Sequence, residues 1–87
     1  MSNLSPQEIE TTVREIIQRI TGLEENEIKP EDHFYRDLGI DSIKGIELAV
    51  ALQEKFKIRL DDSKIPQMVN VKLVVEELQR LLDNNHP

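Results

Sequence analysis

Asp37-Leu38-Gly39-Ile40-Asp41-Ser42-Ile43-Lys44-Gly45-Ile46-Glu47-Leu48 is the stretch around which the chain is organised. Gly39 offers a flexible turn, Asp41 and Ser42 supply an acid and a hydroxyl, and apolar residues at helical spacing begin directly after them. One serine is thereby placed at a helix N-terminus, at the end of the longest segment without a period. A serine in that position caps the helix, or it is a point where something is attached. Asp41 precedes it and is an equally good cap, which would leave the Ser42 hydroxyl free.

Downstream, the pattern predicts helix II over about residues 42–56. Ile43, Ile46, Leu48, Ala49, Val50, Leu52 and Phe56 cover most of its circumference, leaving a narrow polar arc of Lys44, Glu47, Glu54 and Lys55. A helix that apolar is expected to touch neighbours on several sides, so helix II is expected to be the central one, with its polar arc open to a partner. Upstream, residues 21–41 show no period, and Lys29-Pro30 favours extended backbone. Leu23, Ile28, Phe34, Leu38 and Ile40 are spaced like pegs that pin a loop onto a core, which argues against disorder in a connection this long. Helix I is expected over about residues 6–20: Ser5, Pro6 and Glu8 make a capping-box start, Ile9, Val13, Ile16, Ile17 and Ile20 share a face, and Gly22 stops it.

After helix II, Lys57-Ile58-Arg59-Leu60 alternates like a strand but has no second strand to pair with and reads as a connector. Asp61-Asp62-Ser63-Lys64-Ile65 before Pro66 predicts one short turn, helix III over about residues 61–65. Asn70 is placed to cap helix IV, over about residues 71–82, whose apolar stripe is Val71, Val74, Val75, Leu78, Leu81 and Leu82. Residues 83–87, including His86, read as a frayed tail. The expected fold is all-α: a small four-helix bundle of three main helices and a short helix III, with a long ordered loop between helices I and II, forming a single domain over residues 1–87.

Composition narrows the function. The absence of cysteine excludes disulfides, thiolate nucleophiles and cysteine metal sites, and suits a reducing compartment, the cytoplasm. No apolar run is long enough to insert in a membrane, and the start lacks a basic-then-apolar signal pattern. A net charge of −6 argues against nucleic acid and anionic lipid as partners and suits proteins with basic surfaces. That charge is uneven: residues 1–40 carry nine acids against four bases, residues 41–60 three against four, and residues 61–87 five against three. The apolar content is mainly aliphatic, with Phe34, Tyr35 and Phe56 the only aromatics, so few rings fix the shape of the core and a deformable interior is expected.

Catalysis and metal binding find little support. A serine hydrolase would need His33 beside Ser42 with a buried acid to orient it, and no nucleophile-elbow sequence surrounds Ser42. Asp32, Asp37 and Asp41 invite a calcium reading, but counting back from either nearby glycine places Phe34 or Ile40 at the first ligand position of an EF-hand loop. Helix II is also too poor in bases to be a recognition helix for DNA. A phosphate ester on Ser42, by contrast, would meet unpaired N–H groups and the positive end of the helix dipole. Asp41 would repel it, and Lys44 in the first turn would pair with Asp41 or with that phosphate.

The stretch Asp37 to Ile43 resembles the prosthetic-group attachment motif of acyl carrier proteins. Ile28-Lys29-Pro30-Glu31-Asp32, the run Ile46 to Phe56 and the Val71–Leu82 ending are similar to the same family pattern. The resemblance implies 4'-phosphopantetheine esterified to Ser42, transferred from coenzyme A by a Mg²⁺-dependent phosphopantetheinyl transferase (a holo-acyl-carrier-protein synthase). It implies a non-catalytic, monomeric carrier of acyl thioesters. Its partners would be an acyl-loading ligase or transacylase and ketosynthase-type or acyltransferase enzymes of fatty acid or related lipid or polyketide synthesis. The acyl chain can fold back between the helices in this family. Asp37, Asp41 and Glu47, with Lys44 and Glu54, are the implied docking residues, and Asp41 and Lys44 flank the cofactor. One departure stands out: helix II of common fatty-acid carriers is strongly acidic, whereas this chain has Lys44 after the serine and Lys55, Lys57 and Arg59 at the far end. A specialised carrier with its own partners is expected. The other readings are a D-alanyl or aminoacyl carrier, an unmodified helical adaptor with Ser42 as a mere cap, and, last, a hydrolase using Ser42 and His33.

Overall fold

The fold starts with a reciprocal cap. Ser5 Oγ accepts from the Glu8 N–H at 3.2 Å and Glu8 Oε1 accepts from the Ser5 N–H at 2.8 Å, so two donors without helical partners are satisfied at once. Helix α1 (Pro6–Thr21) follows and ends at Gly22, whose φ of 79° lets its N–H turn back to the Gln18 carbonyl at 2.8 Å. In the computed structural model, which describes residues 4–84, two further helices follow, α2 (Ser42–Phe56) and α3 (Val71–Asn84). Single 3-10 turns lie at Glu25–Glu27 and Ile65–Gln67, and there is no strand among the described residues. The molecule is thus an all-helical bundle with three main helices.

Both other helices pack against α1. Its Ile9, Val13, Ile16 and Ile17 face Val71, Val74 and Leu78 of α3 and Leu48, Leu52 and Phe56 of α2 in one core. This corrects the expectation that helix II would be central. Its apolar circumference is real but largely uncovered: Ile43 is 70% exposed, Ile46 65% and Val50 47%. Periodicity counts apolar residues around a helix without saying what covers them.

The long connection between α1 and α2 is held as the pegs imply. Ile28, Phe34, Leu38 and Ile40 are buried, and Leu23 packs at the core's edge. The Phe34 N–H donates to the Val69 carbonyl at 2.8 Å and the Lys72 N–H to the Pro30 carbonyl at 3.1 Å, which ties the loop to the start of α3. The 3-10 turn at Glu25–Glu27 has no periodic signature; Arg14 secures it by donating to the Glu25 carbonyl at 2.7 Å.

After α2, Lys57 adopts a left-handed conformation (φ 57°) and Ile58 and Leu60 are buried. Gln53 fastens this connector to the helix: its Nε2 donates to the Ala49 carbonyl at 3.2 Å and its Oε1 accepts from the Leu60 N–H at 2.9 Å. Helix III does not form at 61–65. Asp61 folds that segment into a turn, its Oδ1 accepting from both the N–H and the hydroxyl of Ser63 at 2.9 Å while its carbonyl accepts from the Lys64 N–H at 2.8 Å. These Ser63 donors hold the Asp61 carboxyl below the usual carboxylate range. The helical turn comes later, at Ile65–Gln67, and contains Pro66 instead of ending before it. A first turn leaves its N–H groups unpaired in any case, so proline's missing donor costs nothing there. Asn70 caps α3, accepting from the Leu73 N–H at 2.8 Å, and the helix continues to Asn84. His86 and the end of the expected frayed tail lie outside the described residues.

Candidate functional site

The loop that delivers Ser42 is built from short reciprocal bonds. His33 organises it: its Nδ1 accepts from the N–H groups of Tyr35 and Arg36 at 3.2 Å each, and its carbonyl accepts from Asp37 and Leu38 at 2.8 and 3.2 Å. Asp37 returns the favour, its Oδ2 accepting from the His33 N–H at 2.7 Å. Gly39, at φ 70°, reverses the chain, and Ile40 plugs into the core while its N–H bonds to the Phe34 carbonyl at 2.8 Å. The backbone therefore arrives at residue 41 on a fixed path.

Asp41 is the N-cap of α2. Its Oδ1 accepts from the Lys44 N–H at 2.9 Å and its carbonyl from the Gly45 N–H at 2.8 Å. Ser42 is the first helical residue; it is exposed, and its hydroxyl has no hydrogen-bond partner among the described residues. The two neighbours thus divide the work: the acid holds the helix and the hydroxyl faces outward. The N–H groups of Ser42 and Ile43 also lack partners among the described residues and lie at the positive end of the helix. A phosphate ester on Ser42 fits these surroundings.

Ser42 stands on the rim of a groove of about 590 Å³. One wall is α2; the other comes from residues 60–69, with Phe34 and Tyr35 at one side. Its interior is apolar, formed by Ile40, Leu48, Leu52, Leu60, Met68 and Val74. Sequence periodicity gives no sign of it, because the groove arises where α2 and the 60–69 segment fail to close on one another.

The other residues singled out from sequence fall around this rim. Asp37, Asp41, Glu47 and Glu54 are exposed. Lys44 is half-buried, and among the described residues it forms no ion pair; its bond to Asp41 is made by the backbone and not, as expected, by the ammonium. Around α2 the surface is striped: Lys44 and Lys55 on one flank, then Glu47 and Glu54, then the exposed ridge of Ile43, Ile46 and Val50, of which Ile46 and Val50 also line the groove. That apolar ridge was hidden in the sequence by the assumption that helix II is covered on several sides. His33 also lines the groove, but its Nδ1 is committed to the loop and no bond to Ser42 is present. No helix among the described residues is long and apolar enough to cross a membrane.

Known proteins are similar to this chain in sequence. A protein-family model described as "Phosphopantetheine attachment site" matches residues 11–79. The meromycolate extension acyl carrier protein of Mycolicibacterium aurum is 37% identical over 81 residues, covering 93% of this chain and 84% of that protein. Proteins of the same description from Mycobacterium leprae and Mycolicibacterium smegmatis are each 35% identical, over 94% and 91% of this chain and 71% and 80% of their own lengths.

Proposed function

The chain belongs to the acyl carrier protein family, and from that premise we propose that Ser42 is the residue that bears its prosthetic group. As a member it is a carrier of acyl groups and not an enzyme, and its cofactor is 4'-phosphopantetheine. When bound, that group supplies a terminal thiol that holds acyl chains as thioesters. The hydrolase and unmodified-adaptor readings give way to this one, and the relatives, acyl carriers by name, favour an acyl over an aminoacyl load.

The observation that carries the assignment is the exposed Ser42 hydroxyl, left free because Asp41 takes the cap, on the rim of an apolar groove. Ser42 gives the point of attachment, Asp41 and the His33 turn fix its direction, and the groove offers an apolar chain shelter from water. The test is an intact mass measurement after incubation with coenzyme A, Mg²⁺ and a broad-specificity phosphopantetheinyl transferase. A gain of one phosphopantetheine, lost in Ser42→Ala, is expected. A folded protein that gains nothing sinks the assignment.

Synthase enzymes and a phosphopantetheinyl transferase are the partners that membership implies. The finer reading is a specialised carrier, loaded by a ligase or transacylase and served in the cytoplasm by ketosynthase-type or acyltransferase enzymes of lipid synthesis. Relatives named for meromycolate extension support a lipid chain under elongation as cargo. Docking would use the apolar ridge of α2 with Glu47 and Glu54, Asp37 and Asp41 near the serine, and Lys44 as the element that sets partner choice. Binding to a fatty-acid ketosynthase with the affinity and salt dependence of an ordinary acidic carrier would refute specialisation.

A further inference from the structure

Helix α2 buries Leu48, Leu52 and Phe56 on one face. On a wheel of 100° per residue, Gly45 lies within about 20° of Leu52, near the centre of that buried face. At the first turn of the helix, then, the position directed at the interior carries no side chain. Nothing in the fold requires this. Gly45 is not among the residues with positive φ, and a Cβ added to it would meet no atom within 4 Å. Glycine also weakens a helix relative to alanine. Neither backbone conformation nor packing accounts for it.

What Gly45 adjoins is the groove, and it stands three residues after Ser42, on the adjoining part of the same helical surface. Ala49 follows four residues on and also lines the groove. Of the α2 residues that line the groove, Gly45 and Ala49 are the smallest, while Ile46, Leu48, Val50 and Leu52 carry full aliphatic side chains. We infer that Gly45 is a specificity-determining residue: its missing side chain keeps the entrance between Ser42 and the apolar interior wide, so the groove admits acyl chains broader than a bare polymethylene. Methyl-branched chains are the class that depends on it most. The inference rests on the reading of Ser42 as the point of attachment and adds the width of load that the groove accepts.

The test compares wild type, Gly45→Ala and Gly45→Val, each loaded by a phosphopantetheinyl transferase from a straight-chain or a methyl-branched acyl-coenzyme A of equal carbon number. The readouts are the rise in Tm over the holo form and the rate at which hydroxylamine cleaves the thioester. A ligand that binds only the folded state raises Tm, and a sheltered thioester is cleaved slowly. Wild type is expected to show a rise and slow cleavage with both loads. Gly45→Val should lose most of the effect with the branched load and less with the straight one, with Gly45→Ala between them. Holo Gly45→Ala should melt above holo wild type, so it carries the test alone if the valine variant does not fold. Equal rises and cleavage rates in all variants overturn the inference. So does a wild type that gains nothing from either load; in that case the mass gain at Ser42 still decides the attachment separately.

Discussion

Helices α1 and α2 are of nearly equal length and both rich in branched aliphatic residues, yet they use these residues in opposite ways. In α1 the apolar residues lie on one face, and Ile9, Val13, Ile16 and Ile17 are at most 3% exposed. In α2 the apolar residues surround the helix: Leu48, Leu52 and Phe56 are buried, Ile43, Ile46 and Val50 are exposed, and Ile46, Leu48, Val50 and Leu52 line the groove together with Gly45 and Ala49. Apolar side chains in α1 hold the molecule together. In α2 they are divided between the core, an exposed ridge and the wall of the groove. The α1–α3 side is packed, and the candidate site lies on the side that is incompletely covered.

The sharpest way to break this contrast is to delete matched side chains on the two helices. Ile17→Ala, at a fully buried site, should cost about 2–5 kcal/mol, read as a lower midpoint in urea. Next comes the loop that delivers the serine. Gly39→Ala forces a Cβ into a backbone at φ 70° and should cost about 1–2 kcal/mol in the same measurement. Asp41→Ala removes the cap and should cost about 1 kcal/mol, with slower modification of Ser42 by the transferase. Ile46→Ala should change stability by less than about 0.5 kcal/mol while weakening binding to a partner synthase in titration calorimetry. If Ile46→Ala destabilised as much as Ile17→Ala, the division between the helices would be wrong.

The smallest effect is expected from acid, and it also falls on the packed side. Arg80 donates twice to Glu77, at 3.1 and 2.6 Å, and this hydrogen-bonded pairing holds the Glu77 carboxyl below its ordinary value of 4.5. Because the folded value is the lower one, the pair contributes fully above 4.5 and its contribution is lost as pH falls through the folded value. Glu77→Gln should therefore lose less stability than wild type between neutral pH and the acid side of that window, read by thermal melts at a series of pH values.

Local chemistry was legible from the residues. Ser5, Pro6 and Glu8 carry a cap within four positions, and Asp41 before Ser42 states both cap and free hydroxyl. The pegs of the long loop were legible because an apolar residue in a segment without a period has few other uses. Three features were not. The short turn moved from 61–65 to Ile65–Gln67 because Asp61 found a better partner in Ser63 and Pro66 is tolerated in a first turn. The reversal at Lys57 uses a residue that carries no turn signal. The exposure of α2 was illegible because it is defined by a missing neighbour, which no residue within the helix encodes. The groove and the open space beside Gly45 belong to the same class of tertiary fact.

The Gln53 amide makes the two sides of the groove mechanically unequal. It clamps Leu60 to α2, so the helix and the start of the connector move as one piece. Residues 61–68, in contrast, hydrogen-bond only among themselves in the described residues and touch the core through the half-buried Ile65 and Met68. A widening of the groove would therefore fall on that segment, in the manner of a bellows. Ser42 and the exposed ridge of α2 belong to the clamped side, so a change in the width of the groove would leave their surface as it is.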